Sequence, residues 1–102
     1  MTPEGWEKKD VDAFLKQLGP ERVFVFKPFM SGYGSSGVPD YCLCICGAYW
    51  GLEIKRPGKE PTAIQQRRID AIRSAGGHAA AGTAEVVIAA MREWLAVRGV
   101  VV

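Results

Sequence analysis

The stretch GVPDYCLCICGAYWGLEIKRPG, residues 37 to 58, constrains the chain more than any other. It reads as two apolar strands around a tight turn, interrupted by three charged residues, Asp40, Glu53 and Lys55. Gly47-Ala48 is a two-residue loop with glycine first, which suits a type II′ hairpin turn. Cys46 then faces Tyr49, and the pairing continues as 44 with 51, 42 with 53 and 40 with 55. Directly opposed residues share a face of the sheet. Asp40, Glu53 and Lys55 are therefore expected on one side, with Asp40 opposite Lys55 and diagonal to Glu53 within about 7–8 Å between backbones.

Two readings of that cluster stand on the residues alone. In the first, Lys55 neutralises one carboxylate in a buried salt bridge, which leaves the other as an uncompensated charge in a costly position. In the second, a divalent cation resolves the imbalance. Two carboxylates with a backbone carbonyl and water suit Mg²⁺, a hard ion that keeps part of its hydration shell. A lysine beside it is placed to orient or deprotonate an attacking water. That constellation points to metal-assisted hydrolysis of a phosphodiester.

The rest of the chain supplies an α/β frame. Thr2 as N-cap and Pro3 in the first helical position start a helix that ends near Gly19-Pro20, with Val11, Phe14, Leu15 and Leu18 as its apolar stripe. Residues 22 to 29, RVFVFKPF, read as a strand. The hairpin strands span about 39 to 46 and 49 to 55. A second helix runs from Thr62 to about Ala75, a short strand covers His78 to Ala81, and a last helix starts at Thr83 and stops at Gly99. The order is αβββαβα, with a mixed sheet.

Pro39-Asp40 followed by Glu53-Ile54-Lys55 on the next strand resembles the PD-(D/E)xK nuclease superfamily. With MTPEG at the start, GVPDY, EIKRPGKEPTAIQQ and AIRSAGG, the chain is similar to small VRR-NUC domain proteins of phages and bacteria over residues 2 to 82. The resemblance implies a restriction-endonuclease-like αβββαβ core, with the final helix added, and Mg²⁺ or Mn²⁺ dependence. It also implies cleavage of DNA, often branched, by homodimers. By the same resemblance Asp40, Glu53 and the Ile54 carbonyl are metal ligands, Lys55 is the catalytic lysine, and Glu4 joins the metal site from the first helix. Glu4, Glu7, Val11, Phe14 and Leu18 do step along one helical face, although Glu4 at a helix start also complements the helix dipole. Glu7 is the alternative. Gln65 falls on the family's second-helix position. It also completes a capping box with Thr62, and both roles stay open.

Other residues are weighed against simpler explanations. Lys27 is a phosphate contact or a solvated edge-strand lysine. Arg56, Lys59, Arg67, Arg68 and Arg73 make a local basic surface suited to backbone contacts, and Tyr33 in SGYGSSG is a candidate for base stacking. A net charge of +2 allows a nucleic-acid partner only through such a local patch. Cys42 and Cys46 on one strand would lie roughly 13 Å apart, too far to share a metal, so the three cysteines are expected as free thiols packed like apolar residues. His78 is read as structural or surface. Met91, Trp94 and Leu95, with Val100 to Val102, offer more apolar surface than one sheet face covers, which suggests a homodimer.

The 102 residues make one domain, 1–102. MTPEGWEKKD does not read as a leader and no apolar run approaches spanning length, so a cytoplasmic protein of a bacterium or phage-infected cell, without a membrane partner, is expected. The expected activity is a metal-dependent DNA endonuclease. The alternatives are an inactive nucleic-acid-binding module or a structural subunit on the same fold.

Overall fold

A computed structural model describes residues 1–28 and 37–102. Among these described residues, three helices and four strands follow in the order α1 (Pro3–Leu18), β1 (Val23–Phe26), β2 (Tyr41–Ile45), β3 (Ala48–Ile54), α2 (Ala63–Ser74), β4 (His78–Gly82) and α3 (Ala84–Val97). The sheet order is β1-β2-β3-β4. The first two pairings are antiparallel and the third is parallel, so the sheet is mixed, in the αβββαβα order expected from the sequence.

Local chemistry starts each helix. Thr2, Thr62 and Thr83 are N-caps whose side chains accept from the backbone N–H of Gly5, Gln65 and Val86. Pro3 occupies the first turn of α1, where its missing N–H costs nothing. The α1 stripe Val11, Phe14, Leu15 and Leu18 is buried, as its spacing predicts. Among the described residues, no helix is long and apolar enough to cross a membrane.

The hairpin turn differs from the expected one. Its two central residues are Cys46 and Gly47, both with positive φ (47° and 86°), the signature of a type I′ turn. Pairing therefore runs Ile45↔Ala48, Cys44↔Tyr49, Leu43↔Trp50, Cys42↔Gly51 and Tyr41↔Leu52. Each residue of β2 meets a partner two positions earlier than expected. Two positions is one full pleat, so every side chain keeps its predicted face.

On one face Tyr41, Leu43, Ile45, Trp50, Leu52 and Ile54 pack with α1 and with Val87, Met91 and Leu95 of α3 to form the main core. On the other, α2 lies over β3 and β4, with Ile72 seated above Gly51, where an added Cβ would meet its Cδ1 at 3.0 Å. Ile69 and Ala79 are buried outside the main core. Since α2 reaches no further than β3, the outer part of β2 is uncovered. Cys42 is consequently only half-buried and Cys44 and Cys46 are exposed, which corrects the expectation that the thiols pack as core. All three are free.

Strand β1 is shorter than its β-forming run, because Pro28 offers no ladder donor. Only Val23 is buried, while Phe24 (70% exposed) and Phe26 (56%) lie open on this edge strand. The apolar surface predicted on α3 and the tail is only partly present: Val86, Val97 and Val101 are exposed, but Met91, Trp94 and Leu95 are not. Met91 and Leu95 are fully buried in the core, and Trp94 packs edge-on against Trp50 at 5.7 Å with Arg98 over its ring. Val100 and Val102 are partly buried against the same core. His78 stacks on Trp50 at 5.0 Å, a structural role as expected.

Candidate active site

Beyond the last ladder pair, Tyr41↔Leu52, the next residues of β2 and β3 are Asp40 and Glu53. Asp40 follows the buried Pro39, and its Oδ2 accepts a hydrogen bond from the Ile54 N–H at 2.8 Å. The carboxylate thus continues the hairpin where the backbone ladder stops. Glu53 and Lys55, two residues apart on one face, are 5% and 6% exposed, with Lys55 Nζ 3.8 Å from Glu53 Oε1. Asp40, Glu53 and Lys55 are brought together, but with Asp40 next to Glu53 rather than opposite Lys55.

Gln65 closes the cap of α2 and also reaches across to Glu53. Its Oε1 accepts from the Thr62 N–H at 2.9 Å, closing the capping box, while its Nε2 donates to Glu53 Oε1 at 2.7 Å. Glu53 Oε2, also buried, has no hydrogen-bond partner among the described residues. Burial and, next, the Asp40 charge push the Glu53 carboxyl up to about 7; Lys55 opposes this, Glu4 adds to it, and Lys8 opposes it.

Lys8 is the residue that the hairpin pattern does not reveal. Its Nζ stands 3.6 Å from Asp40 Oδ1 and 3.5 Å from Glu4 Oε2. Glu4 therefore reaches the site through Lys8, one helical turn on. Glu7 turns elsewhere, its Oε1 accepting the Ala84 N–H at 2.8 Å and so capping α3. Among the described residues, no group of three or more His, Cys, Asp or Glu side chains could hold a metal ion, so Glu4 does not complete a ready-made cage with Asp40 and Glu53.

A cleft of about 300 Å³ adjoins Asp40, lined by Lys8, Asp12, Lys27, Pro28, Asp40 and Tyr41. Lys27 Nζ pairs with Asp12 Oδ1 at 2.9 Å and lies 5.1 Å from the Tyr41 ring centre. The Tyr41 hydroxyl donates towards Asp12 Oδ1 (2.7 Å) and the Lys8 carbonyl (3.1 Å), tying β2 to α1 beside the site. Burial, then the Asp12 hydrogen bond, hold this phenol well above its usual range. Asp12, like Lys8, escapes the sequence pattern; the Glu4-Lys8-Asp12 spacing of four was the available signal.

Arg56 and Lys59 follow Lys55 in an exposed turn, where the Lys59 N–H bonds to the Arg56 carbonyl. Arg67 and Arg68, both exposed, line a concavity on α2 with Ile64 and Ala71. Arg73 is engaged with the Ala79 carbonyl at 3.0 Å. Tyr33 lies outside the described residues.

The chain is similar to one solved structure described as a VRR_NUC domain, with 27% identity and a TM-score of 0.67, covering 81% of this chain and 86% of that one. No family model matches the sequence, and no curated protein matches it.

Proposed function

The chain is a VRR-NUC domain, a nuclease-family fold, and from that premise we propose that it is an endonuclease hydrolysing DNA phosphodiesters with Mg²⁺ or Mn²⁺. The observation that carries this reading is Glu53 Oε2, a buried carboxylate oxygen without a partner among the described residues, beside a second carboxylate. An ion pair built for stability would satisfy that oxygen; a cation site needs it free. Asp40 and Glu53 would hold the ion with the Ile54 carbonyl. Two carboxylates are enough, because Mg²⁺ commonly completes its shell with water and substrate phosphate. When bound, the ion supplies a lowered pKa to water and neutralises charge on the phosphoryl oxygens.

The protein's own groups do the rest. Gln65 fixes Glu53 through Oε1, which leaves Oε2 available to the ion. Lys55, buried beside Glu53, sits at the reacting end, where it would orient the attacking water. Lys27, Arg56, Lys59, Arg67, Arg68 and Tyr33 would contact the DNA backbone or bases. Branched or structured duplex as substrate and a homodimer as working unit belong to the same reading, supported by the family resemblance and not by α3.

The test is calorimetric titration with Mg²⁺ and Mn²⁺, together with cleavage of linear, nicked, flapped and four-way DNA. Cation binding and cleavage, both lost in Asp40→Asn, support the enzyme. DNA binding without cation binding or cleavage would identify the inactive module instead.

A further inference from the structure

Lys8 has no part in the hydrolysis reading, yet it occupies the site. Of the Asp40 oxygens, Oδ2 is engaged by the Ile54 N–H, and Oδ1 faces Lys8. Of the Glu53 oxygens, Oε1 is engaged by Gln65, and Oε2 has no partner among the described residues. The carboxylate oxygens most open to a divalent cation are Asp40 Oδ1 and Glu53 Oε2, and the Lys8 ammonium stands 3.6 Å from the first.

A lysine and a metal ion compete there, since like charges at such range repel. Lys8 can yield, because its side chain is 38% exposed and carried on a flexible stem. Glu4, 3.5 Å away on the preceding turn, retains the ammonium nearby. The cleft beside Asp40 gives it somewhere to go. Lys8 and Lys27 come to that cleft from α1 and from the end of β1. Lys8 is paired there with Asp40 and Lys27 with Asp12, so a phosphate is disfavoured until a cation takes over Asp40 and frees Lys8.

We propose that Lys8 is a displaceable counter-ion of the metal site, neutralising Asp40 before the divalent cation binds and then turning into the cleft beside Lys27 to contact a nucleic-acid phosphate. This rests on the metal-site reading above. It makes Glu4 a positioning residue for Lys8, and it orders the events, cation first and phosphate second.

The experiment compares the wild type with Lys8→Met, Lys8→Gln and a Lys9→Met control, whose lysine lies instead over the Trp6 ring. Mg²⁺ alone is titrated calorimetrically, and binding of a labelled DNA duplex is measured in Ca²⁺ over a range of salt. Both Lys8 variants are expected to bind Mg²⁺ about fivefold more tightly, the scale of one screened charge pair. They are also expected to bind DNA more weakly, with a salt slope smaller by about 1. A residue that merely supports the fold would weaken both.

Unchanged or weaker Mg²⁺ binding in the Lys8 variants overturns the counter-ion while the metal site survives. Tighter Mg²⁺ binding with unchanged DNA affinity overturns the phosphate contact. No Mg²⁺ binding by any of the proteins overturns the metal site and the counter-ion together.

Discussion

Gln65 spans from the first turn of α2 to Glu53, donating to one carboxylate oxygen at 2.7 Å while its own oxygen closes the helix cap. One side chain thus couples the start of a helix to the most perturbed carboxylate in the site. Gln65→Ala should lower stability by about 1 kcal/mol through the lost cap and reduce cleavage by releasing Glu53. Gln65→Glu keeps an acceptor for Thr62 but sets a carboxylate against Glu53, so the Glu53 pKa should rise further. Denaturation curves and the pH–rate profile check these outcomes separately.

Glu53 also predicts how the metal-free protein responds to pH. Its carboxyl is raised from 4.5 to about 7 on folding, so between those values the folded chain holds a proton that the unfolded chain has released. Stability should therefore fall as pH rises from about 4.5 to 7 and level off above, by on the order of 3 kcal/mol. Glu53→Gln should flatten that slope. Chemical denaturation in chelator at pH 5, 6, 7 and 8 measures it, and a slope that persists in the variant would assign it to another group.

Asp40→Ala, Glu53→Ala and Lys55→Ala should each abolish cleavage and leave the fold in place. Near-normal cleavage by the Asp40 or Glu53 variant would remove the metal site from the mechanism. Loss of the folded state in all three, followed by circular dichroism, would instead favour a structural ion pair.

The thiols should be dispensable. Cys44 and Cys46 are exposed and should react with a thiol reagent in the native protein faster than the half-buried Cys42. Cys46→Asn, which makes an Asn-Gly pair at two positive-φ positions, should raise stability by roughly 0.5–1 kcal/mol. A triple replacement that kept its fold and Mg²⁺ binding but lost activity would contradict this.

Trp94→Lys should act on folding. Trp94 is built into an aromatic cluster with Trp50 and His78, so the change should cost about 3 kcal/mol. Light scattering on the wild type is the cleaner test of a homodimer. A stable Trp94→Lys protein that merely changes its association state would show that the ring faces a partner.

The readable parts of the sequence were those decided locally. Thr2-Pro3, the Thr62–Gln65 box and Thr83 locate the helices because capping involves neighbours within one turn. The hairpin faces were legible, but the turn was not: Cys46 adopts a positive φ for which its residue type gives no signal. Exposure of Cys44 depends on how far α2 reaches across the sheet, which no stretch of β2 encodes. The same holds at the site. Asp40, Glu53, Lys55 and Gln65 lie on or next to the hairpin and capping motifs, whereas Lys8 and Asp12 become relevant only through the packing of α1 beside Tyr41.

The hairpin's two-residue shift carries a rule for how its length can vary. Adding or removing a residue pair in a strand leaves Glu53 and Lys55 on the α2 side, with Leu52 and Ile54 in the core. A single-residue change between the turn and Glu53 exchanges them: two charged groups enter the main core and two aliphatic ones face Gln65. Length change in this segment is therefore tolerated by parity. A one-residue indel should be more damaging than a two-residue one, unless a bulge absorbs the odd residue before it reaches Glu53.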